Sequence, residues 1–380
     1  MLPLAGIKVV EFCQIAAGPF AGMLLADMGA DVIKVESPDG DGMRSWPPLS
    51  DGFSENFASL NRNKRSIVLD LKNEHDLAHA RELCLRSDIV LENFRPSVLP
   101  RLGLGYEELS KAAPKLIYCS ISAFGQVGPR TREGGFDVTL QAVAGTMSVT
   151  GEADGAPVKC GVPVADFTAG LYAAFAITSM LRRVEKEGVG GHIDVPMFGA
   201  MLGVAALQVS EYFGSGRDPR KLGSAHPRNA PYQAFRCSDG HFVLAAGNND
   251  LFRRTCEVAD LPDLLADTRF ESPLMRARHQ DELRECLEKV FVKLPSDIWL
   301  ARMRERGVPC APINTFSEAL ADEQVAHYGW VRPLTLPGGH ETKTFGMPVR
   351  VPGIDFEIYR RPPSLGEHTQ EIIDELTGSR

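Results

Sequence analysis

The sequence lacks several of the patterns by which metal sites and common hydrolases are recognised. Its eight cysteines form no C-x-x-C pair, and none stands at a zinc-ligand spacing from a histidine. The patterns G-x-S-x-G, G-x-x-x-x-G-K-[ST] and H-E-x-x-H are also absent. These absences disfavour a serine hydrolase of that type, a Walker phosphate loop and a zinc protease. We expect no metal, reduced thiols and a cytoplasmic location.

Positive charge and long apolar runs are scarce as well. The formal net charge of the 380 residues is −8, which disfavours a surface for nucleic acid or anionic lipid. The start of the chain lacks the pattern of a signal peptide. The most apolar run, Phe167–Leu181, is shorter than the roughly 20 residues that cross a bilayer. We therefore expect no membrane partner and a buried helix in this run.

Short β-branched runs alternate with amphipathic stretches through the first part of the chain, a pattern typical of βαβ units. The predicted strands are Ile7–Phe12, Asp31–Glu36, Ser66–Leu71, Asp88–Phe94, Lys115–Ser122 and His192–Pro196. The predicted helices among them include Phe20–Met28, Glu74–Arg86 and Ser97–Ala112, with a long helix after Asp166. The fold class is therefore α/β, with a doubly wound, Rossmann-like large domain.

Composition suggests where the domains divide. Residues 1–213 form the predicted large domain, and residues 214–231, rich in Gly, Pro and Arg, form a linker or functional loop. A strand and helices in 232–322, including a strand at His241–Ala246, predict a smaller α+β domain. The final segment, 323–380, has short extended runs, among them Met347–Val351, and a closing helix.

Basic residues gather near the ends of predicted strands, where open α/β sheets bind ligands. They are Arg62, Lys64, Arg65, Lys72, Arg95 and Arg101. One interpretation is a site for a phosphate-rich ligand. The other is that they are solvated loop cations, and the residues alone leave both open.

Two segments could carry chemistry or merely structure. The turn in residues 12–22 has small residues where a helix begins but no G-x-G-x-x-G, so it favours either a ligand other than a dinucleotide or close helix packing. Asp166 precedes an apolar helix and is either an N-cap or a poorly solvated nucleophile. His226 and His368 are more typical of hydrogen-bonding histidines than of catalysts.

Taken together, ordered pieces along nearly the whole chain resemble the class III CoA-transferase family, which includes formyl-CoA transferase, carnitine CoA-transferase and, by divergence, α-methylacyl-CoA racemase. The matching pieces are residues 17–19, 29–36, 63–66, 69–72, 92–94, 163–166, 226–227, 231–233 and 365–369. The resemblance implies a homodimer of two interlocked chains, with 323–380 returning to the large domain. It implies acyl-CoA and a small carboxylic acid as substrates, with the CoA thioester a substrate and no permanently bound cofactor.

The resemblance also implies roles for individual residues. Asp166 would attack the donor thioester, giving an aspartyl anhydride and then an aspartyl-CoA thioester. The implied CoA contacts are Ile15, Ala16, Leu71, Lys72, Asn93, Phe94, Arg101 and Met197. Possible substrate-site residues are Gln14, Phe136, Asp137 and His226. Asp137 would either orient the site or cap the helix that follows Gly135.

Departures from the family pattern leave alternatives. Formyl-CoA transferase has a Gln where this chain has Ala16 and a four-glycine loop where it has residues 223–227, which disfavours formate and oxalate as substrates. An ordinary organic acid, with a donor such as succinyl-CoA, fits better. The racemases carry a His where this chain has Phe136, so a two-base racemase is a weaker alternative. An inactive acyl-CoA-binding protein is a third.

Overall fold

The structure is a computed structural model that describes residues 1–378. These residues form two compact units. The first contains residues 1–146, 159–217 and those from Glu323 onward, and the second contains 147–158 and 218–322. The segments 147–158 and 218–231, which composition assigned to the large domain and to the linker, lie in the second unit.

A six-stranded parallel sheet forms the centre of the first unit. Its strands are β1 (Lys8–Phe12), β2 (Asp31–Glu36), β3 (Lys64–Val68), β4 (Ile89–Glu92), β5 (Ile117–Ser122) and β6 (Gly191–Pro196). The spatial order is β3-β2-β1-β4-β5-β6, so the direction of winding reverses between β1 and β4. The prediction of a mixed α/β fold with a central parallel sheet is confirmed. Crevices at such reversal points are the usual ligand sites of these folds.

Helices and short strands complete both units. The helices are α1 (Ala17–Asp27), α2 (Glu55–Asn61), α3 (Glu74–Leu85), α4 (Val98–Arg101), α5 (Tyr106–Ala112), α6 (Asp137–Val143), α7 (Thr146–Val149), α8 (Val164–Glu187), α9 (Met197–Val204), α10 (Ala206–Ser215), α11 (Asn249–Val258), α12 (Pro273–Arg278), α13 (Gln280–Phe291), α14 (Ser296–Glu305), α15 (Phe316–Leu320), α16 (Glu323–Tyr328) and α17 (Thr369–Thr377). The remaining strands are β7 (Tyr232–Cys237), β8 (Gly240–Ala245), β9 (Cys310–Pro312), β10 (Val331–Thr335) and β11 (Glu341–Phe345), with a short hairpin at Leu49–Ser50 and Phe53–Ser54.

Alternating side chains of each sheet strand are buried on opposite faces, as expected when helices cover both. Val9 belongs to the core that α1 and α8 cover, whereas Val10 belongs to the core beside α3. Ile372 and Leu376 of α17 are buried in that second core. The last helix of the chain therefore packs on the sheet domain built by the first residues.

The second unit has its own core around the antiparallel strands β7, β8 and β9. Phe235, Phe242, Phe291 and Trp299 pack there with their rings tilted or edge to face. Such aromatic pairs stabilise a small core beyond the area that they bury. The sequence predicted the strand β8 but not its partner β7.

Three secondary-structure predictions were wrong in detail. The stretch Ser97–Ala112 is two helices, because Gly103 adopts a positive φ of 71° and ends the first. The third strand is Lys64–Val68 rather than Ser66–Leu71, so charged residues open it. Met347–Val351 forms no strand, and only Val351 makes an isolated bridge.

One helix in the described chain, α8, is long and apolar enough to cross a bilayer by length and composition alone. It is the long helix predicted after Asp166, and it contains the apolar run Phe167–Leu181, which we expected to be a buried helix. Ala165, Ala169, Ala173 and Ile177 on one face are buried in the sheet core, and Phe175 on the other is 69% exposed. Only 33% of its most apolar 18 residues are buried within this unit, so the expectation of a buried helix was wrong for the outer face.

Helices α1 and α8 approach each other closely at Gly170. A Cβ atom at this position would lie 2.8 Å from the Ala17 carbonyl oxygen and 2.9 Å from the Phe20 ring. Because a backbone oxygen cannot move aside as a flexible side chain can, only glycine allows this approach. It brings the start of α8 beside the start of α1.

We expect Gly170→Val to lower the free energy of unfolding by about 1 to 3 kcal/mol, the usual cost of overpacking a core. Denaturant unfolding followed by circular dichroism measures it. Gly161→Val is the matched control, since a Cβ atom there meets nothing within 4 Å. Equal unfolding free energies for the two variants would contradict the prediction.

Candidate active site

A cavity of about 640 Å³ lies at the carboxyl ends of β1, β4, β5 and β6, and includes the point where the winding reverses. It is lined by Gln14, Ile15, Ala16, Ala17, Asn93, Phe94, Arg95, Pro96, Ile121, Ser122, Ala123, Glu133, Gly134, Gly135, Phe136, Thr139, Asp166 and Met197. All of these residues belong to the first unit. Its mixed polar and apolar lining suits a ligand that carries both an acyl chain and a polar group.

The turn between β1 and α1 forms one wall of the cavity. Ile15 has a positive φ of 66°, a left-handed conformation that is unusual for a β-branched residue. Its backbone N–H donates to Asp41 Oδ1 at 3.1 Å. The Asn93 side chain accepts from the Gln14 N–H at 2.9 Å and donates to the Gln14 carbonyl at 2.8 Å. The amide of Asn93 is therefore occupied in holding the turn.

A buried ionic cluster lies behind this turn. Glu11 accepts from Lys34 Nζ at 3.2 Å and from Lys64 Nζ at 2.9 Å, and Asp41 pairs with Lys34 at 3.0 Å. The side chains of Glu11, Lys34 and Lys64 are completely buried. Burial works against the charge of Lys34, but the carboxylates of Glu11 and Asp41 raise its pKa above the usual value. The cluster is therefore a set of paired charges.

Buried ion pairs show that two interpretations of the basic residues near β3, a phosphate site and solvated loop cations, were both wrong. Lys64 pairs with Glu11, Arg62 with Asp27 at 2.6 Å, and Arg65 with Asp31 at 2.6 Å. All three cations are buried. They are therefore neither a phosphate site nor solvated loop residues. Charged residues within an otherwise apolar strand were the signal that could have indicated buried pairs.

Asp166 lies in the first turn of α8, and its side chain lines the cavity. The residue that precedes the helix is Pro163, so the N-cap interpretation of Asp166 was wrong. Burial is the main cause that raises the pKa of Asp166 to about 6, and the nearby Asp137 carboxylate adds to it. A partly desolvated carboxylate at the mouth of a cavity is suited to nucleophilic attack.

Asp137 connects the start of α8 to α6. Its Oδ1 accepts from the Ala165 N–H at 2.9 Å, and its Oδ2 accepts from Gln141 Nε2 at 2.7 Å. Gln141 Oε1 in turn accepts from the Cys160 N–H at 2.8 Å. The N-cap of α6 is Phe136, so Asp137 does not cap its own helix. Of the two roles open from sequence, the geometry favours orientation of the helix that carries Asp166.

Five of the eight residues expected to contact CoA line the cavity: Ile15, Ala16, Asn93, Phe94 and Met197. Leu71, Lys72 and Arg101 do not. Lys72 is exposed after β3, and Arg101 is exposed after β4, with its Nε donating to the Ser97 carbonyl. Both follow carboxyl ends of strands in the same sheet as the cavity. The cations and the cavity therefore share an edge of the sheet.

Two of the four possible substrate-site residues, Gln14 and Phe136, line the cavity. Phe136 is 74% exposed and presents an apolar ring to it. His226 lies in the second unit, where its Nδ1 accepts from the N–H groups of Arg228 and Asn229, each at 3.1 Å. Burial, followed by Arg228, lowers its pKa. The expectation of a hydrogen-bonding histidine is confirmed at this position.

His368 also has a structural contact, since its Nδ1 accepts from the Ser66 N–H at 3.2 Å. Sequence reasoning missed Asp41 and Lys34, because a carboxylate and an amine far apart in sequence give no local signal. Within residues 1–378, no group of three or more His, Cys, Asp or Glu side chains is placed to hold a metal ion.

The sequence and the structure are similar to those of known proteins. The family model of CoA-transferase family III matches residues 4–369. The chain is 40% identical to succinate–glutarate CoA-transferase of Agrobacterium fabrum, over 98% of this chain and 96% of the relative. It is 37% identical to acetyl-CoA:oxalate CoA-transferase of Acetobacter aceti, over 98% and 96%.

A crystal structure of a CAIB/BAIF family protein from Brucella suis has a similar fold. Its TM-score is 0.88 at 40% identity, and the match covers 99% of each chain. The family match spans the central sheet, the cavity and Asp166 together. The chain belongs to CoA-transferase family III.

Proposed function

We propose that the protein transfers CoA from an acyl-CoA donor to a carboxylic acid, with Asp166 as the nucleophile. The observation that carries the proposal is the position of Asp166, a partly buried carboxylate on the wall of the cavity whose pKa is raised to about 6. At neutral pH this carboxylate is ionised yet poorly solvated. Both conditions favour attack on a thioester carbonyl.

The proposed reaction balances without any additional reagent. Asp166 attacks the carbonyl carbon of the donor thioester, and the C–S bond breaks. This step forms an acyl-aspartyl anhydride and releases CoA thiolate. The thiolate attacks the aspartyl carbonyl, which releases the donor acid and forms aspartyl-CoA. The acceptor carboxylate attacks this thioester, which forms a second anhydride, between the acceptor and Asp166, and releases CoA thiolate again. The thiolate then attacks the acyl carbon of the acceptor in this anhydride. The acceptor leaves as acyl-CoA, and the Asp166 carboxylate is restored.

The cavity would bind the thioester end of acyl-CoA, and the exposed cations would bind its nucleotide end. Ile15, Ala16, Phe94 and Met197 give apolar and backbone contacts beside Asp166. Lys72 follows the carboxyl end of β3 and Arg101 follows that of β4, in the same sheet, and both are exposed, as a phosphate contact requires. We assign these two residues to the nucleotide phosphates.

A dicarboxylic acid is the substrate class that the relatives favour. The Agrobacterium relative is named for succinate and glutarate, and the Acetobacter relative for acetyl-CoA and oxalate. The second name keeps oxalate among the acids to be tested. We propose succinyl-CoA as the donor and a short dicarboxylate as the acceptor.

The identity of residue 136, a phenylalanine, favours CoA transfer over racemisation. Racemisation through two bases needs a second proton-transfer group opposite the first. Phe136 lines the same cavity as Asp166, and its side chain can neither accept nor donate a proton. The proposed activity is therefore transfer.

We also propose that the protein assembles as an interlocked homodimer. Helix α10 has no buried residue, and its apolar side chains Leu207 and Phe213 are 62% and 79% exposed. Leu171 and Phe175 of α8 and Val204 of α9 are likewise exposed and apolar. Large exposed apolar side chains of this kind, on a protein with net charge −8, support an interface between subunits.

Asp166→Ala is expected to lower transfer between succinyl-CoA and glutarate by at least about 10³-fold, because no other group takes over covalent catalysis. CoA exchange is followed by mass spectrometry over a panel that includes oxalate. Hydroxylamine added during turnover of the wild type should leave a hydroxamate on Asp166. Asp263→Ala is the control, since Asp263 is an exposed carboxylate in the first turn of a short helix. Full activity of Asp166→Ala would rule out the nucleophile.

The pH dependence tests the environment of Asp166. Because the ionised form attacks, kcat/KM should rise with pH through about 6 and level off above it. Asp137→Asn keeps an acceptor for the Ala165 N–H but removes the negative charge, so the pKa of Asp166 falls and the acid limb moves to lower pH. Gln141→Leu removes a neighbouring hydrogen bond without changing charge and should leave the limb in place. An unmoved limb in Asp137→Asn would contradict this assignment.

The oligomer is tested by mass and by exchange. Light scattering should give twice the 41.5 kDa of one chain. When tagged and untagged dimers are mixed, interlocked chains should not exchange under native conditions but should mix after unfolding and refolding. A monomer, or ready exchange in native buffer, would show that the chains are not interlocked.

A further inference from the structure

The turn that lines the cavity contains a residue in an unfavourable conformation. Ile15 adopts a φ of 66°, and a β-branched side chain reaches this region only when its surroundings hold it there. The neighbouring residues Gln14 and Ala16 line the cavity with it. Strained backbone of this kind is concentrated at functional sites.

Two buried side chains hold the turn, one at Ile15 and the other two residues earlier, at Cys13. Asp41 accepts from the Ile15 N–H at 3.1 Å through Oδ1 and at 3.2 Å through Oδ2. Lys34 Nζ donates to the Cys13 carbonyl at 2.7 Å. The two side chains also pair with each other at 3.0 Å, and both are fully buried. A single ion pair therefore holds the backbone at two points, the Cys13 carbonyl and the Ile15 N–H.

Stability alone does not account for this pair, although Lys34 also pairs with Glu11 at 3.2 Å and Asp41 Oδ1 also accepts from the Met43 N–H at 3.0 Å. Buried ion pairs recover little more than the desolvation that they cost, and apolar replacements of similar size are often as stable. Neither side chain lines the cavity. What the pair supplies is an acceptor and a donor at defined positions behind the wall of the site.

We propose that Asp41 and Lys34 are positioning residues that hold Ile15 in its left-handed conformation and so shape the acyl-CoA-binding wall of the active site. The inference rests on the proposed use of this cavity for acyl-CoA. The pair touches no reacting atom and acts through the backbone of Cys13 and Ile15. Its loss should therefore affect the binding of acyl-CoA more than the chemical steps on Asp166.

The test is a cycle of two substitutions. Asp41→Ala removes the acceptor and should raise KM for succinyl-CoA at least about 10-fold while kcat changes less, because the turn relaxes from the left-handed region. Glycine adopts positive φ without strain, so Ile15→Gly in the Asp41→Ala background should recover at least about threefold of that loss. Ile15→Gly alone is the reference for the loss of the isoleucine side chain. A merely structural role for Asp41 would not be rescued by a glycine in the active-site wall.

A second variant guards against misfolding. Asp41→Ala leaves the positive charge of Lys34 less well paired, whereas Lys34→Met combined with Asp41→Leu removes both charges and keeps the site apolar. In this double variant Glu11 is still paired with Lys64; circular dichroism establishes that the protein is folded, and it should still show the raised KM. Isothermal titration of CoA into each folded variant gives the affinity independently of turnover.

The outcomes separate the inference from the proposed function. If the wild type neither binds CoA nor transfers it, the proposed function fails, and the inference falls with it. If the wild type is active and the folded double variant has an unchanged KM, only the inference is overturned. Strictly additive effects of Asp41→Ala and Ile15→Gly would also overturn it. A raised KM with rescue by glycine supports it.

Discussion

The carboxylate of Glu11 accepts hydrogen bonds from both Lys34 and Lys64, and the three side chains are completely buried. Removing one partner from such a set leaves an unpaired charge in the core, at a cost of about 3 to 5 kcal/mol. That is a large share of the 5 to 15 kcal/mol by which a typical domain is stable. The cluster joins β1, β2 and β3, and Lys64 also donates to the Pro19 carbonyl at the start of α1. The sheet and the turn beside it therefore depend on the same few charges.

The site arises where the chain order of the strands and their spatial order diverge. Because β1 and β4 are neighbours in the sheet but far apart in sequence, the turns that follow them, at Gln14 and Asn93, meet and hold each other through the Asn93 amide. The close approach at Gly170 brings α8, and with it Asp166, to the same edge. Asp137, at the start of α6, then holds the first turn of α8 by accepting from the Ala165 N–H.

The alternation of β-branched and amphipathic segments was sufficient to predict the parallel sheet, since period and strand length depend on local sequence. Eight of the eighteen residues that line the cavity, Asp166 among them, were predicted through the family resemblance rather than from periodicity, which favoured an N-cap for Asp166. The pairing of Arg62, Lys64 and Arg65 could not be predicted, because their partners Asp27, Glu11 and Asp31 become neighbours only after the strands assemble. The division of Ser97–Ala112 was missed because a single glycine within a helical pattern does not reveal its φ.

Cys13 lies directly before the turn that lines the cavity, and the burial of its thiol determines its reactivity. Its thiol is 1% exposed and its Sγ lies 3.5 Å from the Leu91 carbonyl. Burial, together with the negative charge of Glu11, raises the pKa of the Cys13 thiol well above its usual value. Only a thiolate competes effectively for an activated acyl group. On the proposed route, an anhydride forms in the cavity that the turn after Cys13 lines, and the protonated thiol of Cys13 does not compete with coenzyme A for it.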